Sequence, residues 1–204
     1  RLHDMRPYIV EILGTPEAGK STSVKNVRRT LNDKGYKVGW VREAGEIVPD
    51  ALKTGNAKGN VWMTMNALQG IWEETHSDRD IVLVERGTVD SSFWNHLYSS
   101  MGEFSEEECS AFEHLFKVLK AEPDCILFLT VSAEESIRRR GGEGHLVTKA
   151  FIERFNNEIN KFLPTVPIKQ EMLNTCGMST SQVHDWMLET IESGYSAFKT
   201  QMMG

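Results

Sequence analysis

Short, nearly unbroken apolar runs alternate along this chain with longer segments whose apolar residues recur every three or four positions. Residues 8–13, 36–41, 81–84, 125–129 and 168–173 are the short runs, and they predict five strands. Their continuous apolar character suits a parallel sheet covered on both faces. The longer segments predict helices at 21–34, closed by Gly35, at about 60–76, and at 148–163, ended by Pro164. In the second of these, Val61, Met65, Leu68 and Trp72 fall on one stripe, with Trp62 and Gln69 on its shoulder. A last helix carries Val183, Met187, Ile191, Tyr195 and Phe198 on one face. Three helix starts are marked by capping boxes, Ser105 with Glu108, Ser132 with Glu135 and Ser179 with Gln182, and Asp90 is set to cap the helix containing Phe93 and Trp94. Residues 43–59, rich in Gly, Asn and Lys, read as a connecting loop. The βα alternation, with no repeat and no linker, predicts one domain over residues 1–204: a three-layer α/β/α fold around a mainly parallel five-stranded sheet.

Composition narrows the class of protein. With 204 residues, 40% hydrophobic and 25% charged, the chain matches an ordinary globular domain. A net charge of −6 argues against nucleic acid as the main partner, because that needs concentrated Lys and Arg, but it permits a small anion in a local basic pocket. Cys109, Cys125 and Cys176 are odd in number, widely spaced and without a C-x-x-C pair, so reduced thiols in a cytoplasmic protein are expected. No run approaches the ~20 apolar residues of a membrane span. The charged start Arg1-Leu2-His3-Asp4 lacks the apolar core of a signal peptide.

Between the first strand and the first helix stands Gly14-Thr15-Pro16-Glu17-Ala18-Gly19-Lys20-Ser21, a G-x-x-x-x-G-K-S pattern. Each fixed position has a physical task. Gly14 and Gly19 let the backbone bend closely around phosphates, so that the N–H groups of the loop, through Glu17, Ala18 and Thr22, point inward as an anion nest beside the positive end of a helix. Lys20 reaches the outer phosphates of a nucleoside triphosphate, and the Ser21 hydroxyl completes the shell of a Mg²⁺ ion, which takes few protein ligands. ATP and Mg²⁺ are therefore the expected cofactors.

In doubly wound sheets ligands bind beyond the carboxyl ends of the strands, which predicts one crevice lined by the loop, by Arg42 and Glu43, and by Glu85 and Arg86. Glu85 is set either to hold metal-bound water or to act as a base; Arg86 either pairs with phosphate or holds the acceptor hydroxyl. Glu43 is an acceptor base, a sugar contact or an ordinary loop glutamate. Arg138, Arg139 and Arg140, followed by Gly141-Gly142-Glu143-Gly144-His145, suggest a lid over about 138–150; helix geometry lets only one or two of the arginines meet phosphate. Trp62, Gln69 and Asp90 are further candidates to contact the acceptor, Gln69 by reading a base edge or else as a solvated position. His96 and His145 read as surface or capping residues, since no second His stands at ligand spacing.

Taken together, these residues resemble the P-loop nucleoside and nucleotide kinases, including thymidylate kinases and deoxynucleoside kinases. The loop 14–21 matches their Walker A motif. Glu85-Arg86-Gly87 is similar to the Glu-Arg-Ser or Asp-Arg-Tyr of those groups, Arg42-Glu43-Ala44-Gly45 to the Arg-Glu-Pro-Gly of thymidylate kinases, and 138–155 to their arginine lid. The resemblance implies Glu43 as base or sugar contact, Arg86 beside the reacting oxygen, and a homodimer, although a monomer core explains the apolar stripes equally well. Ala44, Glu46 and Gly87 depart from the pattern, all on the acceptor side. The expectation is a Mg²⁺- and ATP-dependent phosphotransferase acting on a small molecule, a nucleoside or nucleoside monophosphate; a monophosphate would call for extra cationic contacts, with Arg42 the nearest candidate by sequence. The alternatives are a kinase of another small molecule or a polynucleotide end, or an NTPase switch that works through a protein partner.

Overall fold

The structure, a computed structural model, describes residues 6–45, 47–53, 55–144 and 147–204. The start Arg1-Leu2-His3-Asp4, Glu46 and His145 lie outside the described residues. In chain order the elements are β1 (Tyr8–Gly14), α1 (Lys20–Asp33), β2 (Val38–Val41), α2 (Ala57–Thr75), β3 (Ile81–Glu85), α3 (Thr88–Ser100), α4 (Glu106–Val118), β4 (Cys125–Thr130), α5 (Ala133–Arg140), α6 (Lys149–Phe162), β5 (Lys169–Asn174) and α7 (Thr180–Met203), with short 3₁₀ turns at Asp50–Leu52 and Leu163–Thr165. One mainly parallel sheet runs in the order β2-β3-β1-β4-β5. Val38 stands opposite Ile81, and Cys125 opposite Lys169, in its two parallel outer pairs. No helix among the described residues is long and apolar enough to cross a membrane.

The chain forms two compact units. The first takes the chain up to Glu11 together with Tyr36–Asp124. Ile9, Val41, Leu68, Ile71, Val82, Val84, Phe116 and Ala121 make its core, with Phe112, Leu115 and Leu119 packed on the edge. The capping box of Ser105 and Glu108 opens α4 as the spacing predicts. The α2 stripe is corrected: Met65 and Trp72 are exposed, while Ala57, Thr64, Ala67, Leu68 and Ile71 are buried. Small residues on that face allow close packing, as at Gly70, where a Cβ would lie 2.8 Å from Val41 Cγ1. The predicted loop is also shorter, because the Asn56 side chain accepts from the N–H groups of Lys58 and Gly59 and starts α2 three residues early.

The second unit contains Ile12–Gly35 and Cys125–Gly204. Val24, Val27 and Leu31 of α1 pack with α7, where Val183, Met187, Ile191 and Phe198 are buried as the stripe predicts. Tyr195 is only half-buried, since Gly194 holds the inner position. Ser179 and Gln182 form their box, but that of Ser132 is half made: Ser132 accepts from Glu135 N–H while the Glu135 carboxylate is drawn to Arg138 and Arg139. The three cysteines are free thiols, Cys109 and Cys125 buried and Cys176 exposed.

Candidate active site

Two constellations form, one within each unit. In the second unit the loop 14–21 leaves β1 and enters α1 through Gly19, whose φ of +93° only glycine adopts without strain. Glu17 takes φ of +59°. Gly19 has no side chain to cap α1, and no acidic residue stands in the first turn, so neither an N-cap side chain nor a first-turn carboxylate competes for the positive end of the helix. Lys20 folds back over the loop, with Nζ 3.3 Å from the Gly14 carbonyl. Ser21 and Thr22 are exposed in the first turn. Ala18 is buried, its N–H bonded to the Thr15 carbonyl at 3.1 Å. A Cβ at Gly14 would run into the Leu129 carbonyl. Gly14→Ala is accordingly expected to push the loop out of shape and lower nucleotide affinity by roughly tenfold or more, as measured by titration with a fluorescent ATP analogue.

The outer side of the loop is held by residues the sequence did not single out. Thr15 Oγ1 donates to Asn156 Oδ1 at 2.7 Å and accepts from Val131 N–H, and Ser136 Oγ donates to the Pro16 carbonyl at 2.8 Å. Arg139 donates to the Glu17 carbonyl at 3.2 Å, to the Thr175 carbonyl at 2.7 Å and to Glu135 at 2.8 Å, so its guanidinium is a strut for the loop. Arg138 is exposed and grips Glu135 with two bonds. Those bonds, first from Arg138 and then from Arg139, bring the Glu135 pKa down to about 2. Arg140 is exposed, its guanidinium against Gly144.

In the first unit β3 ends on Glu85, and Arg86 turns the chain at φ of +57° into α3. Arg86 Nη1 donates to Glu43 Oε1 at 2.6 Å, and its Nε lies 3.8 Å from Asp90 Oδ1. Burial pulls the Arg86 pKa down, but Asp90 and Glu43 more than offset it, so the cation is firmly held. Among the described residues Glu43 Oε2 has no hydrogen-bond partner. Glu85 is buried, with Oε2 accepting from Trp40 Nε1 at 2.8 Å and Oε1 without a partner among the described residues. Such an orphaned oxygen needs a donor from a ligand or water. Arg42 is exposed and stacks over Trp40, 5.1 Å from the ring centroid.

Asp90 does not cap α3. Gly87 holds the cap position, and the cap comes from Glu11 on β1, whose carboxylate accepts from the N–H groups of Gly87, Val89 and Asp90 at 2.8, 3.1 and 2.9 Å. A charged residue inside an otherwise apolar strand was the one signal that could have exposed it. The Gly87 departure has the same origin, since a Cβ there would lie 2.9 Å from Glu11 Oε2. On α2, Trp62 is half-buried, and Gln69 is exposed and donates to Glu73 in a local i,i+4 pair. His96 pairs with Glu113 on the surface.

The parallel five-stranded sheet, its flanking helices and the glycine loop entering α1 define a P-loop kinase α/β fold. Among solved structures the chain is similar to deoxyadenosine kinase from M. mycoides with products dCMP and a flexible dCDP bound, at a TM-score of 0.67 and 16% identity over 91% of this chain and 99% of that one. The same enzyme with dCTP gives 0.65, 17%, 91% and 99%, and with dATP 0.63, 14%, 92% and 100%. No family model matches the sequence, and no curated protein is detectably similar to it. At these identities the likeness is one of fold.

Proposed function

We propose that this chain is a deoxynucleoside kinase, transferring the γ-phosphate of ATP to the 5′-hydroxyl of a deoxynucleoside. The observation that carries the reading is the Glu43–Arg86 pair at 2.6 Å. Arg86 orients Glu43 through one carboxylate oxygen and leaves the other to take the proton of an acceptor hydroxyl. A monophosphate acceptor instead needs free cations, and Arg42, the candidate for that task, is stacked on Trp40. The fold neighbours, which carry deoxynucleotides, support the same substrate class.

On the donor side, the positive end of α1, which carries no N-cap side chain, and the Lys20 ammonium fit a triphosphate, and the exposed Ser21 hydroxyl fits a Mg²⁺ ion that keeps most of its waters. Bound there, the ion would neutralise charge on the outer phosphates. Lys20 and the loop amides orient the triphosphate, and Arg139 keeps the loop in shape. Arg140, exposed at the end of α5, is the arginine of the three placed to supply charge as transfer proceeds, since Arg138 and Arg139 are held by Glu135. The free Glu85 oxygen accepts from water or from the acceptor.

Incubation with ATP, Mg²⁺ and deoxyadenosine or deoxycytidine, followed by mass analysis, is expected to yield the 5′-monophosphate. Phosphorylation of nucleoside monophosphates alone would replace this reading with a nucleotide kinase.

A further inference from the structure

We propose that Glu11 is the positioning residue of the acceptor constellation: from β1 its carboxylate caps α3 across the sheet and so fixes the turn that presents Arg86 to Glu43. The inference rests on the kinase reading for its effect on catalysis, but the hold itself is a matter of geometry. Arg86 sits at positive φ, which costs energy for a residue with a side chain and persists only where the surroundings impose it. The imposing contacts are the three N–H bonds from Gly87, Val89 and Asp90 to one buried carboxylate. Gly87 lies so close that a Cβ would meet Val84 Cγ1 at 2.8 Å and Glu11 Oε2 at 2.9 Å.

The hold depends on charge. Burial, the largest influence, pushes the Glu11 pKa up to about 7; the three N–H bonds resist, and Asp90 of α3 adds repulsion. Asp90 is the charged side chain acting on Glu11 among the described residues and itself neighbours Arg86, while β3 brings the apolar Val84. The ionised carboxylate accepts all three bonds, whereas the protonated form must spend one oxygen as a donor. The hold therefore tightens as pH rises through about 7. Stability moves the other way. The ordinary value for this carboxyl is 4.5, so between 4.5 and about 7 the folded chain keeps a proton that the unfolded chain has lost, and this group's contribution to stability falls as pH rises through that range.

The test compares wild type, Glu11→Gln and Gly87→Ala in the full chain. In wild type the ¹⁵N–¹H resonances of Gly87, Val89 and Asp90 and the Arg86 Nε–H resonance are expected to share one titration with a midpoint near pH 7. In Glu11→Gln that titration disappears. Both variants are expected to keep the wild-type KM for ATP and to lose roughly 10- to 100-fold in kcat/KM for the acceptor. Resonances that do not titrate together, or variants with wild-type acceptor kinetics, would overturn the proposal. Should no acceptor be phosphorylated by wild type, the kinase reading fails, and the Arg86 and amide titrations still decide the role of Glu11.

Discussion

Lys20→Ala is expected to abolish detectable transfer, lowering kcat by at least roughly 10²- to 10³-fold, and to weaken ATP binding. The reason is local to the loop. Lys20 is the cation folded over it, 3.3 Å from the Gly14 carbonyl, and α1 opens there with no competing carboxylate in its first turn. Removing the ammonium leaves the amide nest in place, so binding falls less than transfer does. Because the loop is braced from its outer side by Asn156, Ser136 and Arg139, the variant is expected to keep its fold. Steady-state ADP production and ATP titration measure the two losses separately. Equal turnover in variant and wild type would remove the loop from the catalytic account.

Glu43→Gln is expected to slow transfer by roughly 10²- to 10⁴-fold with ATP binding kept. The amide oxygen of Gln still accepts from Arg86 Nη1, so the turn is expected to keep its geometry, and what disappears is the basic oxygen for the acceptor proton. A fall in kcat with an unchanged KM for ATP identifies that loss. A variant with full activity would reduce Glu43 to an anchor for Arg86.

Much of the fold was legible because strand and helix periodicities differ, and because the glycine loop needs a strand before it and a helix after it. The strands were legible to within a residue or two, β2 being the shorter by two at its start. What escaped the sequence were contacts made across distance. The α2 face was misread because its inner surface is built of small residues, so hydrophobicity alone chose Met65 and Trp72. Asp90 looked like a cap because it has a cap's chemistry, yet the carboxylate that caps α3 comes from residue 11, 79 positions away along the chain from Asp90. Arg139 was grouped with its neighbours by composition, although its side chain is committed to Glu17, Glu135 and Thr175. The Glu43–Arg86 pair was legible only as two residues at two strand ends; its hydrogen bond belongs to the folded unit.

The most direct measurement is ADP release with Mg-ATP across a panel of nucleosides and nucleoside monophosphates, with Lys20→Ala as the blank. Deoxynucleosides are expected to raise the rate well above the blank while monophosphates do not. A flat panel from a protein that still binds ATP, or a rise confined to monophosphates, would contradict it.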